Sequence, residues 1–210
     1  MKILSLLTLA IVCLVSCQPE PDTNKLYDEL VVTTSHDPQA AFGSYETYAI
    51  PTDTIGYVSQ NSNSTFITAG QSTYPPVVLN AIRSNLEARG YTRVNKADDP
   101  DLGINVVVVE DLNVFQQVVY PDPYFYPGSI YSGYYGYNSW YYYPYVNTYA
   151  YQTGVLIIEI VDLRNRTPDN KVKVIWTAYL GDIYSTINLI DQTEAGIDQS
   201  FAQSPYVTTQ

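Results

Sequence analysis

The chain has 210 residues and a formal net charge of −11 at pH 7, a length that suits one domain with a tether or at most two small domains. Such an acidic balance disfavours nucleic-acid binding, because phosphate groups require clustered lysine and arginine. It also disfavours adhesion to anionic lipid headgroups through a basic patch. We therefore expect no nucleic-acid partner.

The chain opens with a short apolar segment, residues 3–15, preceded by the cation Lys2. This length is typical of the apolar region of a secretory signal and too short for a membrane span, which needs about 20 residues. The segment ends in the letters LVSC, which resemble the lipobox of bacterial lipoproteins. We therefore predict a signal peptide over residues 1–16 and lipid attachment to the Cys17 sulfur, the nucleophile in that transfer. The lipid would anchor the protein in the outer membrane.

An ordinary secretory signal is the alternative, because such signals also end in small residues. Cys13 is a poor lipidation site, since a bulky valine precedes it. Cleavage before Cys17 would leave no second cysteine, and hence no internal disulfide. Residues 17–29 then form a lipidated, extended polar tether. Its acids Glu20 and Asp22 resemble surface-export signals of some lipoproteins, so the periplasmic face and the cell surface both stay open.

Two helices are predicted in the remaining chain. The first begins at Pro75, since proline suits a first turn, and ends before Gly90, which suits the position after a helix. Its apolar stripe comprises Val78, Leu79, Ile82 and Leu86. The second is a closing helix, weakened by Gly196 and indicated by Ile187, Ile190, Ile197 and Phe201.

The predicted strands are residues 30–34, the second half of 41–50, 91–94, 102–109, 154–163 and 171–180. Residues 52–73 are predicted to be a loop. The run 102–109 is almost continuously apolar, as expected for a strand covered on both faces. Alternation places one set of side chains of the last strand on one face, namely Val172, Val174, Trp176, Ala178 and Leu180. The order predicts a single α+β domain over residues 30–204, a mostly antiparallel sheet with two helices packed on one face.

Five short motifs follow one another along residues 30–201. They are Phe42 with Tyr45–Ala49, Ile82 with Leu86 and Gly90-Tyr91, Asp99–Leu102, Gly154–Ile157 with Asp162, and Val174 with Trp176. This ordered set resembles the domain of unknown function 4136 family, which is found in bacterial envelope lipoproteins. The resemblance implies an envelope location and one α+β domain, and it implies no activity, cofactor or site.

Residues 120–151 hold thirteen of the chain's 22 tyrosines and one formal charge, Asp122. They lie between two predicted strands, so we expect a long hairpin insertion of a kind that is usually functional or disordered. Three interpretations stay open: a partner-binding surface, a position at the lipid–water interface, and a low-complexity layer covering an apolar face of the sheet. A binding surface would use Tyr134, Tyr135, Tyr137, Trp140, Tyr141, Tyr142 and Tyr143 to hold a glycan or an envelope protein.

Few side chains offer catalytic or metal chemistry. His36 is the one histidine, so a zinc site with two histidines is excluded. The acids Glu110 and Asp111, after an apolar strand, and Glu159, within one, suggest a carboxylate-dependent glycan hydrolase as the alternative function. Glu159 is also expected to pair with Lys171 or Lys173 across the last hairpin. We predict no cofactor and a non-catalytic role in envelope binding or organisation.

Overall fold

The computed structural model describes residues 31–59, 61–62, 64, 66–110, 154–165, 172–183 and 188–209. These residues form one mixed sheet of eight strands with two helices, which confirms the predicted α+β fold. The predicted signal peptide and tether lie outside the described residues. So do residues 111–153, which include the predicted insertion 120–151 and which we call the tyrosine-rich segment.

The strands are β1 (Val31–His36), β2 (Thr47–Ala49), β3 (Thr54–Val58), β4 (Phe66–Thr68), β5 (Thr92–Arg93), β6 (Leu102–Val109), β7 (Val155–Asp162) and β8 (Lys173–Gly181). The helices are α1 (Tyr74–Ala88) and α2 (Leu189–Ala202). Short 3₁₀ turns cover Phe42–Ser44 and Lys96–Asp98.

The sheet follows the order β1-β8-β7-β6-β2-β5. The four long neighbours β1, β8, β7 and β6 pair antiparallel. The short strands β2 and β3 both pair parallel to β6, one near each end of it, and β4 extends β3 antiparallel. A central antiparallel block therefore carries a short parallel flank.

Both helices cover the same side of the sheet, which we call the first face. Its strand side chains include Leu102, Ile104, Val106, Leu156, Ile158 and Ile160, and they share one core cluster with residues of both helices. The predicted stripe of α1 is buried in that cluster. Gly90 has φ 90°, as the sequence pattern predicts for the residue after a helix, and an added Cβ would lie 2.1 Å from the Thr209 hydroxyl. Glycine is therefore required there, since the C-terminal chain crosses over it.

The opposite side of the sheet, the second face, is also buried. It carries the alternate side chains of the central strands, namely Asn105, Val107, Val109, Val155, Ile157, Glu159, Val161, Val174, Thr177 and Tyr179. Burial of both faces explains why β6 and β7 are almost continuously apolar in sequence.

One residue of β8 interrupts the predicted alternation. Ile160 pairs with Trp176 and Val161 pairs with Val174, so Ile175 is an extra residue, a β-bulge. Beyond the bulge Val174 packs with Val161 on the second face. The prediction that Val172 and Val174 share a face with Trp176, Ala178 and Leu180 is therefore wrong. Those three residues and the bulged Ile175 belong to the main core, whereas Val172 and Val174 pack in the smaller cluster.

The prediction of a loop over residues 52–73 is also wrong, because this stretch contains β3 and β4. The local sequence is rich in Ser, Thr, Asn and Gly, which favours a loop. Pairing with β6 overrides that preference. Gly56 permits the close approach, since a Cβ there would lie 3.0 Å from the Val107 side chain.

Candidate functional site

Two clusters of polar side chains lie on opposite faces of the sheet at β7. The first is a hydrogen-bond network around Asp162, the last residue of the strand. Asp162 accepts hydrogen bonds from the Tyr45 hydroxyl (2.7 Å), the Asn165 backbone N–H (2.9 Å) and the Asn165 side-chain amide (2.8 Å). Burial and the bond to Asp162 raise the pKa of Tyr45. The hydroxyl therefore stays protonated and serves as a donor.

Asp101 completes this network, which we call the corner network. Its Oδ2 accepts the backbone N–H groups of Glu46 (2.8 Å) and Thr47 (3.1 Å). Arg164 Nη1 lies 3.3 Å from Asp101 Oδ1 and forms an ion pair with it. The Arg164 guanidinium carbon lies 4.5 Å from the centre of the Tyr45 ring. Although burial alone would raise the pKa of Asp101, the two backbone donors and the cation hold it below its ordinary value.

The corner network joins three distant stretches of chain, residues 44–47, 101 and 162–165. Its carboxylates are occupied by donors from the protein itself. It also contains motif residues that carry the family resemblance, namely Tyr45, Thr47, Asp101 and Asp162. We conclude that these motif residues hold the fold together.

The second cluster is a row of three polar side chains across the second face, which we call the buried row. The strand register places Asn105 of β6 opposite Glu159 of β7, and Glu159 opposite Thr177 of β8. Their exposed fractions are 4%, 1% and 0%. The Asn105 side-chain amide donates to Glu159 Oε2 at 2.7 Å.

The buried row has unused hydrogen-bonding capacity. Asn105 Oδ1, Glu159 Oε1 and Thr177 Oγ1 have no hydrogen-bond partner within the described part of the chain. A buried group left in this state costs about 1–3 kcal/mol. Burial raises the pKa of Glu159 to about 7, and the bond from Asn105 only partly offsets it. The buried row is therefore the described place best suited to receive another group.

The expected ion pair of Glu159 with Lys173 is wrong. The register places Lys173 opposite Asp162, at the end of β7, and its ammonium pairs with Asp37 instead. The other predicted partner, Lys171, lies outside the described residues. Glu159 thus has an amide neighbour and no described cation.

The remaining candidate groups are engaged elsewhere. His36 is exposed, with its ring centre 3.9 Å from that of Tyr206. Glu110 accepts a hydrogen bond from the Tyr57 hydroxyl. Within the described ranges, no three His, Cys, Asp or Glu residues are grouped to hold a metal ion.

Two acids of the hydrolase alternative, Glu110 and Glu159, lie far apart, and the third, Asp111, lies outside the described residues. Glu110 follows β6, whereas Glu159 is level with Asn105, five residues earlier on that strand. Five residues span roughly 17 Å along a strand, whereas carboxyl pairs in glycosidases lie about 5–9.5 Å apart. The pair lacks the spacing of a glycosidase site.

The predicted lipid site Cys17 and the seven predicted partner-binding aromatic residues lie outside the described residues. The strand register nevertheless shows where the described residues next to these segments lie in the sheet. Val31, Gly181, Val155 and Val109 are level with one another across four strands. The start of β1 and both ends of the tyrosine-rich segment are therefore at the same end of the sheet, which we call the tether end.

Comparison with known proteins agrees with the fold. Residues 32–206 match the family described as domain of unknown function DUF4136. The chain belongs to this family. It is similar to a DUF4136 family protein of Bacteroides thetaiotaomicron, with 29% identity, a TM-score of 0.67, and coverage of 87% of this chain and 100% of that one.

A PDZ domain protein of Parabacteroides distasonis also matches, with 16% identity and a TM-score of 0.43, covering 88% of this chain and 39% of that one. No curated protein matches. None of the described helices is long and apolar enough to cross a membrane.

Sequence reasoning identified Glu159 as unusual but missed its two neighbours in the buried row. Asn105 was a usable signal, because an amide interrupts an otherwise apolar strand. Thr177 gave none, since threonine is common in strands.

Proposed function

We propose that this protein is a lipid-anchored outer-membrane protein that binds an envelope partner through its tyrosine-rich segment and catalyses no reaction. The observation that supports this most is the strand register at the tether end. There β1, which follows the tether, begins beside the strands that lead into and out of the tyrosine-rich segment.

This arrangement bears on where the partner would be. Residues 17–30 reach at most roughly 50 Å when fully extended. A lipid on Cys17 would thus keep the tether end, and the segment with it, close to the bilayer. The partner would be an envelope glycan or an envelope protein within that distance.

The composition of the segment suits binding. Tyrosine offers a rigid apolar ring and a polar tip at low entropic cost, so it contacts sugar rings and protein surfaces equally well. Residues 111–153 contain two acids and no lysine or arginine. Recognition would therefore depend on ring stacking and hydroxyl hydrogen bonds.

The hydrolase alternative has one observation in its favour, the raised pKa of Glu159. It lacks a second acid at the required distance in the described part of the chain. A hydrolase needs one carboxyl as acid and another as base or nucleophile. Binding is therefore the stronger proposal.

Membrane anchoring is tested by Cys17→Ala, with Cys13→Ala as the matched control. We expect Cys17→Ala to stay unprocessed or to leave the membrane fraction, and Cys13→Ala to behave like the wild-type chain. Processed protein that remains in the membrane fraction without Cys17 would contradict the anchor.

Partner binding is tested by changing Tyr141, Tyr142 and Tyr143 together, once to Ser and once to Phe. Cosedimentation with purified envelope glycan, and cross-linking to outer-membrane proteins, would measure the effect. We expect at least a tenfold loss for the Ser variant and retention for the Phe variant, which keeps the rings. Wild-type binding by the Ser variant, or no binding by the wild-type chain, would overturn the binding role.

A further inference from the structure

The second face of the sheet is buried more completely than its described neighbours explain. Both described helices pack in the first-face cluster. Val107 and Ile157 are each 1% exposed, yet they belong to neither core cluster of the described residues. A side chain standing on an uncovered sheet is shielded from the sides only, and its tip stays open to water. Another part of the chain must therefore lie over this face.

We propose that the tyrosine-rich segment, residues 111–153, docks on the second face and donates tyrosine hydroxyl hydrogen bonds to the buried row. We choose this segment because both of its ends join strands of the second face. It leaves β6 after Val109 and returns to β7 at Val155, and these strands form the middle of the face.

The segment is also long enough. The face is about 26 Å long, since eight residues of a strand rise about 3.3 Å each, and β6–β8 make it about 10 Å across between the outer strand axes. The other internal stretches outside the described part, residues 166–171 and 184–187, are too short to cover this area.

The chemistry of the segment matches that of the face. Tyrosine rings can cover the valine and isoleucine side chains, and their hydroxyls can donate to Glu159 Oε1 and Asn105 Oδ1. A wholly aliphatic layer would leave both oxygens without a hydrogen bond. The leader, residues 3–15, is predominantly aliphatic and would do so.

Docking does not require the binding role proposed above, and it is compatible with it. Adjacent residues of an extended chain point to opposite sides. In a pair such as Tyr134 and Tyr135, one ring can dock while the other remains available to a partner.

The chain offers a direct test, because its one methionine is Met1. Ile157→Met, produced in the full chain with the photoreactive diazirine analogue of methionine, places a cross-linker on the second face. The exchange of Ile for Met roughly conserves volume. The matched control is Ile158→Met, the next residue, which is buried on the first face.

Mass spectrometry after illumination identifies the attached residues. We expect the 157 position to cross-link to residues 111–153, and the 158 position to cross-link to first-face core residues instead. Cross-links from position 157 to residues 3–15, to a second copy of the chain, or to nothing would each overturn the proposal. Partner capture by the segment is measured separately, so failure of docking and failure of the binding role can be distinguished.

Discussion

The corner network and the buried row each contain a carboxylate of β7, and the two carboxylates differ in how many hydrogen-bond donors reach them. Asp162 lies where the strand ends, and three donors from two loops reach it. Glu159 lies in mid-strand, and one side-chain amide reaches it. In mid-strand the backbone N–H groups are already used in the ladder, so only side chains can serve a buried acid. An acid in mid-strand is therefore left with fewer donors than an acid at the end of the strand.

The comparison also explains what the family motifs mark. Motif residues such as Tyr45 and Asp162 belong to the fully occupied cluster. Asn105 and Thr177 of the buried row fall outside those motifs. Motif recognition therefore identifies how this domain is held together, and it leaves the candidate site to be found from burial and pairing.

The largest expected effect comes from breaking the corner network with Asp162→Ala. The change leaves the buried Tyr45 hydroxyl without its acceptor and also removes the partner of the exposed Asn165 amide. It is expected to cost about 3 kcal/mol of unfolding free energy. Urea unfolding measures the loss. The control Glu194→Ala removes an exposed acid of α2 and should change stability by less than about 0.5 kcal/mol. A similarly small loss for Asp162→Ala would show that the network is not structural.

The next effect is the pH dependence that Glu159 imposes. Its pKa is about 7 in the folded chain against a reference of 4.5, so between these values the folded state holds a proton that the unfolded state has released. This contribution to stability should therefore be complete below about pH 4.5, fall as pH rises from there through 7, and level off above it. The fall is up to about 3 kcal/mol, since a tenfold change in an ionisation constant is about 1.4 kcal/mol.

Urea unfolding of the wild-type chain and of Glu159→Gln at pH 5, 6.5 and 8 measures this dependence. We expect the Gln variant to lose most of it, because glutamine does not titrate. The control Glu46→Gln, at an exposed acid, should keep the wild-type dependence. An unchanged dependence in Glu159→Gln would mean that this acid does not titrate in the folded state as its burial requires.

The smallest effect separates a paired from an unpaired buried hydroxyl. Thr177→Val removes an oxygen without a described partner, and it should change the unfolding free energy by less than about 1 kcal/mol, towards greater stability. The control Thr193→Val removes a buried hydroxyl that hydrogen-bonds the Tyr74 hydroxyl at 3.2 Å, and it should cost about 1 kcal/mol. If Thr177→Val costs more than Thr193→Val, the Thr177 hydroxyl has a partner outside the described residues.

Several elements follow from sequence with little help from the rest of the chain. The bounds of β6 agree with the predicted run 102–109, and α1 begins within one residue of Pro75 and ends before Gly90. The pairing of β7 with β8 also agrees with the predicted hairpin. These features depend on neighbours in sequence, namely apolar periodicity, proline at a first turn and glycine after a helix. Cys17 and the seven aromatic residues stay predictions.

Tertiary structure alone decided the rest. β3 forms because β6 offers it a parallel partner, and its sequence favours a loop. The bulge at Ile175 moves Val174 to the other face, which no alternation rule reveals. The buried row exists because three strands align in one register, and both polar clusters join residues more than 50 positions apart in the chain. The sequence by itself determined the local elements and the family, whereas distant pairing decided which acid is fully hydrogen-bonded and which is left incomplete.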